Sequence, residues 1–320
     1  MTIKPIDLFS LLGTDWPEEN FIEGGLFSRG DTLIIGAESK AGKSTLVFTL
    51  LRQLMTGGSF LGFKVLKPLS VLLMQAEIRE PKLKSRLINT YGSVDKDVLS
   101  RSYAWNTRGA ILIENDIEEI KSNLKELKPD ILVIDPLINF HTYDENNASQ
   151  MSNLFRRLDL LKSEFNLSVI MSQHFRKVSA GAKTNEALLE RIRGTSALRG
   201  WADTTIVMEG RTQSGYRHLE FELRNSDTIF RRVVKYNDKT KEFDWYDPVY
   251  LTYKILSDEM NGEALNTNQT ITLILSKCGH LVSKNRTKAF DMKDILIEQG
   301  FLKSRKEGKN ILLEISDEIR

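Results

Sequence analysis

The chain has 320 residues, of which 41% are hydrophobic and 28% charged, and its formal net charge is +2. This length fits a core of about 200 to 250 residues with a small appendage, and the composition is typical of a globular protein. No apolar run approaches the roughly 20 residues of a membrane helix, the N-terminus lacks the apolar core of a signal peptide, and Cys278 stands alone. We therefore expect a cytoplasmic protein without disulfides or membrane contact.

The segment 36–45 carries the most specific pattern in the chain. Its residues fit the phosphate-binding loop, a glycine-containing turn that ends in Gly-Lys-Ser: Gly36, Ala37, Glu38, Ser39, Lys40, Ala41, Gly42, Lys43, Ser44 and Thr45. In such a loop, backbone N–H groups and a helix start face a polyphosphate, and Lys43 lies beside the β- and γ-phosphates. Ser44 would hold Mg²⁺. An ordinary glycine-rich turn would need neither the Lys-Ser pair nor the flanking strand and helix.

Predicted strands and helices alternate along the first two thirds of the chain. Apolar runs that end in polar residues predict strands, and amphipathic runs predict helices. The predicted strands are 31–35, 69–77, 129–136 and 167–174, and the predicted helices are 46–51, 81–89, 116–127 and 149–165. This alternation predicts an α/β fold with a mostly parallel central sheet, in which ligands bind at the carboxyl ends of the strands.

Three of these strands end in residues suited to ATP chemistry. Asp135 would reach Mg²⁺ through water, and Glu77 would polarise the attacking water. Gln173 and His174, at a third strand end, would sense the γ-phosphate. Asp135 would alternatively open an Asp-Pro turn, and Glu77 would supply a helix N-terminal charge. Either Gln173 or His174 would alternatively be a hydrogen-bonded core residue.

The pattern of predicted elements changes after about residue 204. Short runs separated by polar turns predict strands at 204–209, 218–223, 231–236 and 242–245, which we interpret as antiparallel extensions of the sheet. A polar segment at 257–269 is interpreted as a linker. The predicted domains are therefore an ATPase domain at 1–256 and a small domain at 270–320.

Taken together, these motifs resemble the RecA-like core of hexameric helicases, closest to the plasmid-encoded RepA type and the related AAA_25 ATPases. The resemblance covers about residues 15–246. It rests on the phosphate loop, the strand ends at Glu77 and Asp135, Ser172-Gln173-His174, the segment 193–203 and Leu223-Arg224-Asn225.

The resemblance implies ATP and Mg²⁺ as cofactors and a role for each of these residues. Glu77 matches the catalytic glutamate, Asp135 the Mg²⁺ aspartate, and Gln173 or His174 the phosphate sensor. Arg224 matches the arginine supplied to the ATP of a neighbouring subunit, although Glu222 stands where bacterial replicative helicases carry a lysine. Arg193 and Arg199 compete for that role, and each arginine would alternatively pair with a surface carboxylate.

Two basic regions are candidate DNA contacts. Arg176, Lys177 and Lys183 follow the sensor position, where a loop facing a ring channel would touch the phosphates of a single strand; the alternative is a solvated surface loop. Helices predicted at 270–278 and 288–299, with a basic turn at 305–309, resemble a winged-helix domain. Its candidate DNA contacts are Lys288, Arg305 and Lys306. Such domains bind duplex DNA or dock proteins.

The sequence thus predicts an ATP-dependent DNA motor that forms a ring, most simply a hexamer. We interpret it as a replicative helicase of a plasmid, phage or mobile element that moves on single-stranded DNA. Two alternatives remain at this stage. One is a nucleotide-gated DNA-binding regulator, and the other is a RecA-like recombination ATPase.

Overall fold

The computed structural model describes residues 7–13, 19–38, 40–174, 196–209, 215–226, 229, 231–282 and 285–316. Its helices are α1 (Leu8–Gly13), α2 (Lys43–Thr56), α3 (Glu80–Tyr91), α4 (Lys96–Leu99), α5 (Ile117–Leu127), α6 (Ala148–Phe165), α7 (Ser196–Trp201), α8 (Pro248–Met260), α9 (Thr267–Lys277), α10 (Gly279–Val282) and α11 (Arg286–Glu298). Short 3-10 helices lie at Glu23–Gly25 and Leu137–Phe140. Within these ranges, no helix has both the length and the apolar character needed to cross a membrane.

The strands are β1 (Asn20–Ile22), β2 (Phe27–Ser28), β3 (Thr32–Ala37), β4 (Ser59–Phe60), β5 (Phe63–Lys64), β6 (Val71–Gln75), β7 (Tyr103–Asn106), β8 (Ile131–Asp135), β9 (Ser168–His174), β10 (Thr204–Met208), β11 (Tyr216–Leu223), β12 (Arg232–Asn237), β13 (Glu242–Tyr246), β14 (Leu265–Asn266), β15 (Leu302–Glu307) and β16 (Asn310–Ile315). In the described part of the chain, the main sheet has the strand order β13-β12-β11-β10-β3-β9-β8-β6-β7. Strands β10, β3, β9, β8, β6 and β7 pair in parallel, and β11, β12 and β13 continue the sheet in antiparallel fashion. The predicted α/β fold with a mostly parallel sheet is confirmed.

Helices cover both faces of the parallel strands, which explains why these strands are apolar throughout. Alternate residues of each strand enter two separate cores. Leu33 and Ile35 of β3 pack with α2, whereas Ile34 packs in the core that α5 and α6 cover. The same alternation decides which polar residue at each strand end faces α2, and therefore which one faces the phosphate loop.

Strands β10 and β7 and helix α8 are among the elements that differ from the sequence-based expectation. Strand β10 is parallel to β3 rather than antiparallel. The connection from β9 includes α7 and returns the chain to the end of the sheet at which β3 and β9 also begin. Strand β7 was not predicted, because its four residues carry no apolar run. Helix α8 was also not predicted, although Asp247 caps its N-terminus by accepting hydrogen bonds from the N–H groups of Val249 and Tyr250.

The C-terminal region combines α8 to α11 with the small sheet β14-β16-β15 around one apolar core. The expected linker at 257–269 contains the end of α8, β14 and the start of α9, because Leu256 and Met260 are buried in this core. Cys278 is buried in it too, and burial raises the pKa of its thiol to about 12. The domain division remains a prediction.

The basic residues expected in a turn at 305–309 lie instead on a strand. Lys306 pairs with Ile311 and Glu307 with Asn310, so the turn consists of Gly308 and Lys309. Gly308 has a φ of 61°, which suits a two-residue hairpin turn. Arg305 and Lys306 are therefore exposed residues of β15.

Candidate functional site

The phosphate loop connects β3 to α2 at the carboxyl end of the central strand. Gly42 precedes the first residue of α2 and has a φ of 100°, a conformation that favours glycine. A Cβ atom added there would lie 2.9 Å from the ring of Phe243. Phe243 is itself held on α2, because its N–H donates a hydrogen bond to Thr49 Oγ1 at 3.2 Å. Strand β13 therefore buttresses the loop, and Ser39 of the loop lies outside the described residues.

The Lys43 side chain points into the sheet edge and is almost fully buried. Its Nζ donates a hydrogen bond to Ser172 Oγ at 2.7 Å and lies 3.6 Å from Asp135 Oδ1. Ser172 Oγ in turn donates to the same carboxylate oxygen. A buried ammonium needs such a partner, since an isolated charge would be costly to desolvate. The structure thus brings together the lysine and the aspartate that the sequence placed 92 residues apart.

Glu77 and His174 form a second pair above this buried network. His174 Nε2 lies 3.5 Å from Glu77 Oε1, and both side chains are partly exposed in the cleft. The pKa of Glu77 is lowered, chiefly by His174, with Lys43 and Arg86 adding to the effect and burial opposing it. Glu77 is therefore ionised at neutral pH, which is the state that accepts a proton from water.

The two sensor candidates lie on opposite faces of β9. His174 and Ser172 face α2, whereas the Gln173 side chain lies on the other face, where its Nε2 donates a hydrogen bond to Glu145. Adjacent residues of a strand alternate between faces, so only one of the pair lines the cleft. His174 is the one that does, and Gln173 is buried beside the segment that follows β8.

The cleft has a volume of about 790 Å³ and is bordered by the phosphate loop and by α3. Arg79, Lys82 and Arg86 line it in addition to the residues expected from the sequence. They lie at intervals of three and four residues, which places them on one face at the start of α3. This spacing directly after Glu77 is visible in the sequence and is the signal by which these three cations can be found. The cleft is therefore lined by several cations suited to a polyphosphate.

Arg224 lies at the opposite end of the sheet from the phosphate loop. Arg224 follows Leu223, which pairs with Thr204, the first residue of β10. The last residue of β10, Met208, pairs with Ala37 at the start of the phosphate loop. The Arg224 guanidinium donates a hydrogen bond to the Gly200 carbonyl and lies 3.6 Å from Asp203 Oδ1. Of the competing arginines, Arg193 and the side chain of Arg199 fall outside the described part.

The candidate DNA contacts lie away from this cleft or outside the described residues. Arg176, Lys177 and Lys183 are among the residues that the structure does not describe. Lys288 is on α11, half exposed and 3.9 Å from Asp291, and Arg305 lies 3.9 Å from Glu314 on the hairpin. Their role in DNA binding stays a prediction.

The donor set of the site suits Mg²⁺. The Ser44 hydroxyl at the start of α2 and the Asp135 carboxylate are oxygen ligands, and in the described chain no cluster of three or more His, Cys, Asp or Glu residues forms a dedicated cage. Mg²⁺ is held in this manner in phosphate sites, by one or two protein oxygens together with water and substrate phosphates. The residues therefore fit the ion that the phosphate loop implies.

A comparison with protein families matches residues 6–180 to the AAA domain family AAA_25. This match spans more than half of the chain. The chain belongs to the AAA_25 family. In this AAA_25 chain, the phosphate loop and the carboxyl ends of β6, β8 and β9 together form the candidate nucleotide site.

Curated relatives of this AAA_25 chain include DNA repair proteins. The chain is 23% identical over 210 residues to the DNA repair protein RadA of Streptococcus pyogenes serotype M6, and 24% identical over 212 residues to RadA of Listeria monocytogenes. Each alignment covers 64% of this chain and 39% of the RadA sequence. The chain thus matches less than half the length of these relatives.

Solved structures similar to the AAA_25 chain include an isolated ATPase domain and a replicative helicase. The ATPase domain superposes with a TM-score of 0.52 at 15% identity, over 68% of this chain and 85% of that one. The second structure, a DnaB-like replicative helicase solved to study its interactions with primase, has the same TM-score and identity over 67% of this chain and 57% of its own. These similarities establish the RecA-like fold.

Proposed function

We propose that the chain is a Mg²⁺-dependent DNA motor that forms a ring, a hexamer by analogy with replicative helicases. It would be a replicative helicase of a plasmid, phage or other mobile element that hydrolyses ATP to move along single-stranded DNA. The similar DnaB-like replicative helicase and the DNA repair relatives support a role on DNA.

The observation that carries this proposal is the distance between Arg224 and the phosphate loop of its own subunit. The five residues of β10 separate the two, which is about 13 Å at 3.3 Å per residue. Arg224 therefore cannot reach a nucleotide bound in its own subunit. A partly exposed arginine at this edge is suited to a nucleotide in a neighbouring copy, where such a cation contributes about 10³- to 10⁵-fold in rate.

The residues of the cleft supply the remaining parts of the reaction. Glu77, ionised and held by His174, would orient and deprotonate the attacking water, a contribution of about 10²- to 10⁴-fold. Lys43 would move from Asp135 to the β- and γ-phosphates, and Ser44 with Asp135 would hold Mg²⁺, which neutralises phosphate charge when bound. Arg86, close enough to Glu77 to lower its pKa, would add positive charge from the same subunit.

The test is steady-state ATP hydrolysis by wild type and Glu77→Gln, with and without single-stranded DNA, alongside the native mass with a non-hydrolysable ATP analogue. We expect single strands to accelerate wild-type turnover, the variant to be silent, and both proteins to form a ring of about six subunits. Turnover that ignores single strands, together with a monomeric mass, would refute the motor.

The similarity to RadA favours a second candidate, a RecA-like recombination ATPase. Such a protein would promote pairing between a single strand and a homologous duplex. A strand-pairing assay with fluorescently labelled DNA distinguishes the two: pairing without unwinding of a forked duplex supports the recombination ATPase, and unwinding without pairing supports the helicase.

A further inference from the structure

Gln75, the last residue of β6, is a buried polar side chain without a hydrogen-bond partner among the described residues. It is 0% exposed, and neither its Nε2 nor its Oε1 makes a hydrogen bond within that part of the chain. Burying an amide without partners costs folding free energy, and buried polar groups in proteins are nearly always satisfied. The exception indicates that a group outside the described chain satisfies Gln75 when it is present.

The position of Gln75 indicates which group that is. Gln75 is the register partner of Asp135 on the adjacent strand β8. Other residues of the same two strands belong to the core under α2, so the alternation of side chains places Gln75 and Asp135 together on that face; these residues are Val71, Leu73, Ile131 and Val133. Gln75 is also two residues before Glu77. The unsatisfied amide thus lies beside the carboxylate assigned to Mg²⁺ and behind the glutamate assigned to the attacking water.

The polar character of this face continues on the next strand. Asn106 of β7 is the register partner of Gln75, and its Nδ2 donates to the Ile78 carbonyl at 3.2 Å, while its Oδ1 also lacks a hydrogen-bond partner within the described ranges. A row of three polar residues therefore crosses β8, β6 and β7 at the edge of the sheet where the nucleotide site lies. Such a row is suited to water, whose hydrogen bonds match unpaired amide groups.

We propose that Gln75 is a positioning residue for the hydration of Mg²⁺ in the nucleotide site. Its Oε1 accepts a hydrogen bond from a water that the ion retains, next to the Asp135 carboxylate, whose Oδ1 contacts Ser172 and Lys43. Mg²⁺ keeps several waters in sites of this kind, and groups that hold such ligands tune metal affinity. This inference rests on the proposed function, since it needs the Mg²⁺ and nucleotide site.

The experiment measures binding of a fluorescent ATP analogue over a range of Mg²⁺ concentrations, with EDTA as the metal-free baseline. The variants are Gln75→Met and Gln75→Leu, and the control is Met74→Leu, a buried residue on the same strand that faces the other core. We expect both Gln75 variants to raise the Mg²⁺ midpoint by about 10- to 100-fold and to leave metal-free binding unchanged.

Thermal unfolding of the ligand-free protein provides the second measurement. Both Gln75 variants should melt at a higher temperature than wild type, by about 2 °C or more, because an unsatisfied amide is replaced by an apolar group. A residue whose role is structural would instead lower the melting temperature and weaken binding equally with and without Mg²⁺. That result, or an unchanged Mg²⁺ midpoint, would overturn the proposal for Gln75. A wild type whose binding ignores Mg²⁺ would refute the metal site of the proposed function as well.

Discussion

Lys43 and Arg224 lie at opposite ends of the same sheet, separated by the length of β10. If Arg224 acts on the nucleotide of a neighbour, Arg224→Ala and Lys43→Ala should each lose ATP hydrolysis, the former by about 10³-fold or more. A mixture of the two variants should recover part of the wild-type rate, because an intact Arg224 then meets an intact phosphate loop at some interfaces. Steady-state hydrolysis at several mixing ratios measures this recovery. A mixture that hydrolyses ATP no faster than either variant alone would contradict action in trans.

The contact between His174 and Glu77 predicts a change in the pH dependence of hydrolysis. His174 is the largest influence that lowers the pKa of Glu77, so His174→Ala should raise that pKa towards its usual value. The acidic limb of kcat/KM should then move to higher pH, since the base becomes protonated earlier as pH falls. Gln173→Ala serves as the control, because Gln173 lies on the other face of β9 with Glu145. An equal shift in both variants would argue against the specific pair.

Gly42 should be intolerant of any side chain. Gly42→Ala places a residue at a φ of 100° with its Cβ 2.9 Å from the Phe243 ring, which distorts the phosphate loop. We expect loss of nucleotide binding and destabilisation of about 1 to 3 kcal/mol, measured by analogue titration and thermal unfolding. The matched control is Gly109→Ala, where φ is 78° and the added Cβ meets no described atom within 4 Å. Normal binding by Gly42→Ala would show that the loop adapts.

Asp31 predicts a pH-dependent change in stability. Burial, with a smaller contribution from Asp203, raises the pKa of Asp31 to about 6. Because this pKa is higher in the folded than in the unfolded state, the protonated Asp31 carboxyl stabilises the fold below about pH 4. This stabilisation is lost as pH rises through 6. Asp31→Asn should therefore stabilise the protein at pH 7 by about 1 kcal/mol, after allowance for partial exposure, and have little effect at pH 4.

Asp130 provides a control of opposite sign for this experiment. Burial acts to raise the pKa of Asp130, but hydrogen bonds from Ser70 and the Arg29 guanidinium outweigh it, and the pKa is lowered. Asp130→Asn should destabilise the protein at neutral pH, with an effect that shrinks as pH falls through the folded pKa of Asp130. Urea unfolding from about pH 2 to pH 8 measures both variants, since the folded pKa of Asp130 lies below its usual value. If the free energy of unfolding changed with pH in parallel for the two variants, the pKa values of Asp31 and Asp130 would not be shifted in opposite directions.

The hairpin β15-β16 predicts a salt-dependent effect on DNA binding. If Arg305 and Lys306 contact phosphates, replacing both by alanine should reduce the slope of log affinity against log salt by about 0.7 per lost contact on single strands and about 0.9 on duplex. Lys277→Ala is a suitable control, because Lys277 pairs with Glu259 at 2.7 Å on α9 and α8. Unchanged slopes on both kinds of DNA would favour protein docking by this region.

Local patterns were sufficient to predict the nucleotide site and most of the sheet. The phosphate loop is contiguous in sequence, and apolar strands between amphipathic helices indicate a parallel sheet, so β3, β6, β8 and β9 were predicted close to their observed bounds. Strand β7 and helix α8 were not predicted. Both depend on pairing or packing with distant segments rather than on their own apolar periodicity.

Short-range spacing along the chain was enough to predict a ligand class and to identify the residues that end each strand, because a phosphate loop and a strand end are both encoded locally. The arrangement of those residues depended on the folded chain. Folding directed His174 into the cleft and Gln173 towards Glu145, set Arg224 a strand length from the phosphate loop, and left Gln75 unsatisfied beside Asp135. The reason is that side-chain alternation and strand register depend on which strands pair, and that pairing joins segments far apart in the chain.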